Sequence, residues 1–584
     1  MFTQQLAPVA GSLTASALIA LLPLITIFIL LGGIRIKAHW AGLASLAVAV
    51  IVAIMAFKMP PGLALLSATE GAVFGLFPIM WIVFNALWVY QLTVVSGRFA
   101  DLRESFNLIS ADPRIMAVLI AFCFGGLLEA LAGFGAPVAI TGVMLMAIGF
   151  SAFRAAAIVL LANTAPVAFG AIATPILTAA ALTNIPASEI GAVVGRQTPV
   201  LALFVPLILV ALVDGRRGLR QTWPAALVCG VSFAIAQFVS SNFVSVELTD
   251  IIASLVAVGT TMAFLRVWQP SGTEEALSDL QAATAEAEDT PGGGGTPAGR
   301  AGGRSETASG PGRTGGTSGG SAVATPATSS RELTTGRIMM ALVPYIIVIA
   351  VFSIAKLLGP VKTFLVGTDV KIEWPGLHGN VLSAAGKPIS STIYNFQWLS
   401  SPGSLLVLCG ILVAICYRVS PAGAAREYFT TAYKLRWAFL TVAAVLALAY
   451  VMNQSGQTLT IGNWIAATGA FFAFLSPVLG WLGTAVTGSD TSANSLFGLL
   501  QTTAAAETGI SPYLLGAANT SGGVLGKMIS PQNLAIGAAV VGMTGQESEL
   551  FRKVVGWSVG LLLGMALLVF LQSTPVLGWM VVAP

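Results

Sequence analysis

Along most of the 584-residue chain the apolar residues run on without the alternation of a half-buried strand or the regular polar return of a surface helix. Many of these runs are long enough to cross about 30 Å of hydrocarbon. Residues 12–33 and 36–57 predict two spans joined by a short loop holding Arg35 and Lys37, and 71–95 a third that ends before Arg98 and Arg103. The stretches 115–150, 155–182 and 190–212 are too long, or too interrupted by Gly and Pro, to be single plain helices. They read as re-entrant or discontinuous elements, because irregular backbone at membrane depth persists only where it lines a cavity or is buried in protein. Beyond Arg216, Arg217 and Arg220 the pattern gives spans over 223–238 and 251–265. After a polar interval it gives spans over 339–357, 405–416, 439–452 and 461–481, a break over 487–501, a long stretch over 512–542 and a last span over 554–571. The expected fold class is an all-α polytopic membrane protein with about 12–14 transmembrane segments.

Two of the broken stretches have copies. Asn163-Thr-Ala-Pro-Val-Ala-Phe-Gly-Ala-Ile-Ala-Thr-Pro175 returns 356 residues later as Asn519-Thr-Ser-Gly-Gly-Val-Leu-Gly-Lys-Met-Ile-Ser-Pro531, with Asn, Thr, Gly and Pro in register. At nearly the same offset Ala132-Gly-Phe-Gly-Ala-Pro137 falls opposite Thr487-Gly-Ser-Asp-Thr-Ser492. The flanking charges run in opposite senses. The helix ending at Ser96-Gly97 is followed by Arg98 and Arg103, whereas the one ending at Ser455-Gly456 is preceded by Lys434 and Arg436 and followed by no base. Two inverted-topology repeats with discontinuous or re-entrant helices are therefore expected, with cores over about 71–212 and 430–571 inside halves 1–268 and 338–584. Counting Lys and Arg in the short loops puts both chain termini outside.

Composition sharpens the class. The chain is 56% hydrophobic and 9% charged, with a mean hydropathy of +0.87, against roughly a quarter charged in a soluble protein. Residues 1–11 lack a basic region and a cleavage motif, so the first run reads as a retained span. Only 269–337 departs from this, turning to Gly, Ser, Thr, Ala and Pro with scattered charges. Such a segment buries too little apolar surface to offset its ordering entropy and is expected to be a disordered cytoplasmic linker, a tether between the halves. Cys123, Cys229, Cys409 and Cys416 lie in apolar runs without metal-ligand spacing and read as small buried hydrophobes, with neither disulfide nor metal expected. No nucleic-acid partner is indicated, and no cofactor.

The candidate chemistry sits at the breaks. Half-helix N-termini carry partial positive charge and unpaired N–H groups, a setting for an anion. Around them stand Asn163, Thr164 and Thr174 in the first half and Ser489, Thr491, Ser492, Asn494, Asn519, Thr520 and Ser521 in the second. Each hydroxyl alone also fits helix capping or an interhelical bond. Taken with Gly133, Phe134 and Gly135 at the matching break, the two clusters form a candidate substrate-binding set. Glu70, Glu129 and Asp490 are acids in apolar surroundings, and ionisable groups at membrane depth are functional candidates. A desolvated carboxyl holds a proton more readily, so Glu129 and Asp490 are the candidate proton-coupling acids, while Glu70 reads as a capping or bridging residue. Lys527, eight residues after Asn519, is the base at the second break, and it is expected to face the substrate carboxylate or to pair with Asp490. His39 and His378, at a membrane edge and in an outer loop, do not suggest a histidine relay.

At residues 127–140, 163–175, 483–494 and 522–533 the chain resembles the L-lactate permease family of bacterial inner-membrane symporters, with all four motifs in order. The resemblance implies uptake of L-lactate, with D-lactate and glycolate, coupled to protons as the coupling ion. Through the wider ion-transporter superfamily it implies a homodimer, paired hairpins and elevator-like movement. The alternative is a sodium-coupled carrier of dicarboxylates or another small organic anion, since carbonyls at helix breaks also coordinate sodium. A channel or a membrane enzyme is disfavoured, because no nucleotide loop, metal cluster or nucleophile–histidine arrangement occurs.

Overall fold

The computed structural model describes residues 1–34, 36–107, 109–133, 135–280, 334–383, 386–543 and 546–581. Nine described helices are long and apolar enough to cross a membrane. One unit, Ala187–Val244, reverses at Asp214 and Gly215, where a glycine at φ +58° makes the turn. Its two legs pack antiparallel, with Gly230 against the Leu203 carbonyl. The third dense stretch is thus continuous from Ala187 to this turn, and not broken as the sequence suggests: Pro199 and Pro206 lie inside it without ending it. The bent pair Ala152–Ala162 and Val167–Thr183 makes a tenth candidate span among the described residues, fewer than the 12–14 expected from sequence, because Thr249–Leu265 and Pro402–Cys416 are shorter apolar helices.

Helix starts follow local chemistry. Proline stands in the first turn of Pro61–Phe74, Pro113–Ala117, Pro402–Cys416, Pro421–Ser455 and Pro512–Gly526, where its missing N–H costs nothing. Asp112, Ser401, Ser420 and Ser489 accept bonds from the free N–H groups of the turns that follow them.

The two halves repeat one plan. Each has a long helix (Pro61–Val95, Pro421–Ser455), a short helix (Arg98–Asn107, Gln457–Ala466), a hairpin, a broken helix and a last long helix. The first hairpin is Pro113–Leu131 with Ala136–Ala147, the second Gly469–Thr487 with Asp490–Thr508. The long helices cross at glycines: Gly71 meets the Leu446 carbonyl at a spacing that admits no side chain, and Gly75 packs tightly on the Val442 carbonyl. The helix read as 439–452 from sequence in fact runs from Pro421 to Ser455.

The inversion is visible in the contacts of the chain ends. Phe2–Thr3 pairs in parallel with Val381–Leu382, the Gln4 amide donates to the Asn453 and Gln454 carbonyls, and Arg196 reaches the Met580 carbonyl. Residues 2–4 and Met580 therefore share one face with the described residues of the 359–401 loop, and the second hairpin enters from that face. The first hairpin enters from the other, at Arg114. Fully buried, Arg114 donates to Asp112 at 2.7 Å, Asp214 at 3.1 Å, Gln221 at 2.5 Å and the Ser271 carbonyl at 2.8 Å. Thr273 also donates to Asp112, and 273–280 is helical. Residues 269–280 are thus ordered, contrary to the linker expectation, because composition does not register the Arg114 clamp that docks them. Residues 334–337, the far end of the same interval, also belong to the fold: Thr335 begins the helix Thr335–Leu357, and Arg337 pairs with Asp101. The rest of that segment, 281–333, lies outside the described residues.

Three cysteines are buried, and the Cys123 and Cys229 thiols lie 3.3 Å apart. Cys416 departs from the buried expectation: it is exposed at the end of Pro402–Cys416.

Candidate functional site

Both hairpin tips are glycine turns. Gly135 stands at φ +83° against Ile536, and Gly488 at φ +77° before Ser489, whose side chain caps the next helix by accepting from the Ser492 N–H at 3.3 Å. Phe134 lies outside the described residues. The first broken helix turns at Asn163 and again at Ala171, Ile172 and Ala173, all left-handed at φ +44° to +55°. Left-handed residues with a Cβ cost about 1–2 kcal/mol each, so the surrounding packing must hold them. The second breaks at Lys527–Ile529 before Pro531.

Across these breaks lies the one ion pair between the two halves at membrane depth among the described residues. Lys527 donates to Glu129 Oε1 at 2.6 Å, both side chains being at most 8% exposed. Glycines shape its surroundings: a Cβ on Gly170 would stand 2.8 Å from Glu129 Oε1, and one on Gly133 3.2 Å. Glu129 Oε2 has no partner among the described residues. Lys527 therefore pairs with Glu129 rather than Asp490. Asp490 instead rests on Gly523, one turn before Lys527, and accepts from the Thr484 hydroxyl at 3.4 Å, within electrostatic range of the ammonium. Among the described residues its Oδ2 has no partner, and neither have Asn163 Oδ1 and the Ser521 hydroxyl.

Asn163, Thr164, Lys527 and Asn533, with Val138, Leu160 and Met528, bound a slit narrower than a water molecule. Thr164 is satisfied by the Leu161 carbonyl. Ser489 and Ser492 line a separate cavity of about 510 Å³ with Lys37, His39, Trp437 and Gln532, while Thr491 is half-buried. A second cavity, of about 520 Å³, lies toward the other face beneath Tyr394, Asn395 and Gln397. Neither is lined by Glu129 or Lys527.

Asn519, Thr520 and Ser521 differ from expectation. They lie inside the continuous helix Pro512–Gly526, six to eight residues before the break, where the packing of Gly522 on the Pro477 carbonyl and of Gly526 on the Trp481 carbonyl favours a straight helix. Asn494 ties the elements together. Its Oδ1 accepts from Asn519 at 2.8 Å and Thr520 at 3.0 Å, its amide donates to the Pro175 carbonyl at 3.3 Å, and Gln501 donates to Asn519. This network joins the second hairpin to both broken helices and leaves these amides little capacity for a ligand. Asn494→Ala strands the Asn519 amide and the Thr520 hydroxyl, at about 1–3 kcal/mol each. A melting temperature lowered by several degrees in detergent is expected; an unchanged one would show the staple to be dispensable.

Glu70 is buried and accepts from the Gln454 amide at 2.8 Å, a bridge between the two long helices away from the slit. Asp250, which the sequence did not single out, is fully buried at the start of Thr249–Leu265 and lies within electrostatic range of Glu129 and Lys527.

A sequence model described as L-lactate permease matches residues 16–576. The chain is 41% identical over 590 residues to the glycolate permease GlcA of Escherichia coli (strain K12), covering 99% of each chain. It is 40% identical over 598 residues to the L-lactate permease of Bacillus subtilis (strain 168), covering 99% of this chain and 100% of that one. Among solved structures it is similar to the YdaH transporter of Alcanivorax borkumensis, at 14% identity and a TM-score of 0.29 over 77% of this chain and 87% of that one.

Proposed function

Because this chain belongs to the L-lactate permease family, we propose that it carries a small 2-hydroxymonocarboxylate, L-lactate with D-lactate and glycolate, inward across the bacterial inner membrane together with protons. The observation that carries this reading is the buried Lys527–Glu129 pair, which bridges a hairpin of one half and the broken helix of the other. An entering carboxylate competes with Glu129 for the ammonium. Once displaced, Glu129 is a buried carboxylate without a cation, a state costing several kcal/mol, and taking up a proton removes that cost. Anion entry and proton binding are then one event. Asn163, Thr164 and Asn533 stand where the 2-hydroxyl of such a ligand needs partners, once the slit opens.

The orientation follows the charges. Arg98, Arg216, Arg217, Arg220, Arg426, Arg552 and Lys553 lie toward the Arg114 face, which this reading assigns to the cytoplasm, with both termini outside.

Radiolabelled lactate uptake into right-side-out vesicles tests the proposal. An inward pH gradient is expected to drive accumulation that a protonophore abolishes and that replacing sodium with choline leaves unchanged. Uptake indifferent to the protonophore but lost in choline would replace this reading with the sodium-coupled one.

A further inference from the structure

Thr249–Leu265 follows the Ala187–Val244 unit and stands outside the plan of long helix, short helix, hairpin, broken helix and last helix that the two halves share. It packs against the hairpin that carries Glu129. Ser254 lies against Gly126, one turn before Glu129 on the first hairpin, which brings Asp250, one turn back, toward Glu129 and Lys527. Asp250 is 0% exposed. Its Oδ1 accepts a 3.4 Å bond from the Gln237 amide, and its Oδ2 has no partner among the described residues. An acid in the first turn of a helix is ordinarily explained by the helix dipole, but that explanation concerns a solvated acid. Here the carboxyl is sealed from water, one helical turn from the Ser254 contact on the Glu129 hairpin, and the ammonium on that hairpin's carboxylate is already engaged. The helix packs on the Ala187–Val244 unit and on the first hairpin, and the charged groups facing Asp250 from these elements and from the second broken helix are Glu129 and Lys527.

Ser254 and Thr261 continue the same helix face, four and eleven residues on. Both are buried, with hydroxyls that have no partner among the described residues. Helical hydroxyls usually bond a carbonyl one turn back, so these two are left free to serve another group. The stripe from Asp250 to Thr261 is about 16 Å long and points toward the Arg114 face.

We infer that Asp250 is a proton-relay residue for transport: it holds a proton while Glu129 is paired with Lys527, gives it to Glu129 when substrate takes Lys527, and is recharged from bulk solvent along the Ser254–Thr261 face. The inference rests on the proton-coupled reading above. In the transfer an O–H bond of the Asp250 carboxyl breaks and one forms on the Glu129 carboxylate. The resulting Asp250 carboxylate then takes its replacement proton from water.

The test uses the full chain in proteoliposomes, with Asp250→Asn and Asp250→Glu each measured for lactate counterflow at equal pH and for uptake driven by a pH gradient. Asp250→Asn is expected to keep counterflow and to lose gradient-driven uptake by roughly 100-fold, with Asp250→Glu restoring it. Loss of both activities in Asp250→Asn gives the carboxyl a structural role and overturns the relay, even where Asp250→Glu recovers them. Wild-type accumulation in Asp250→Asn, or equal loss in both variants, overturns it. If wild-type uptake itself ignores the pH gradient, the proton-coupled reading fails. If wild type responds and Asp250→Asn responds equally, only this inference fails.

Discussion

Replacing Lys527 by alanine is expected to abolish lactate uptake while the protein still reaches the membrane. Two effects combine. The substrate carboxylate loses its cation, and Glu129 is left in a buried setting where an uncompensated charge costs about 3–5 kcal/mol of stability. The second effect is reversible by design. Glu129→Gln added to Lys527→Ala removes the stranded charge, so the double variant is expected to melt higher than Lys527→Ala alone and to remain inactive in transport. A double variant that transports lactate would show that the substrate does not use the ammonium.

Glu129→Gln alone is expected to separate the two halves of the cycle. The amide keeps a hydrogen-bond acceptor near Lys527, and an anionic substrate meets no competing carboxylate, so counterflow exchange persists. Accumulation against a gradient does not persist, because no proton is bound when the anion enters. For a carrier moving one proton per anion, one pH unit supports roughly tenfold accumulation, and the variant is expected to stop at equal concentrations on both sides. Counterflow and accumulation lost in equal measure would give Glu129 a structural role only.

The features most legible in the sequence are those that punctuate it. Gly133, Gly135, Gly488 and Pro531 interrupt apolar runs, and each stands at a turn or a helix start. Pairing across the fold is another matter. Lys527 and Glu129 are 398 residues apart, and sequence spacing favoured Asp490, the acid of the nearer hairpin. Asn519 reads as a break residue because its copy Asn163 is one, yet close glycine packing keeps the second copy helical until Lys527. Asp250 was hidden at the edge of an apolar run, where an acid resembles a flanking cap. The usable signal lay further along, in Ser254 and Thr261, which extend a polar stripe at helical spacing through an apolar helix. Residues 269–280 read as linker because their order comes from a single buried arginine belonging to another element.

Proton uptake on ligand binding probes the exchange of partners at Lys527 most directly. Purified protein in weakly buffered detergent solution is mixed with lactate at matched pH, and the change in bulk pH is read with an indicator. The expected result is alkalinisation equivalent to one proton per bound lactate, absent in Glu129→Gln although that variant still binds. Lactate binding without proton uptake in the wild type, or with the same uptake in Glu129→Gln, would contradict it.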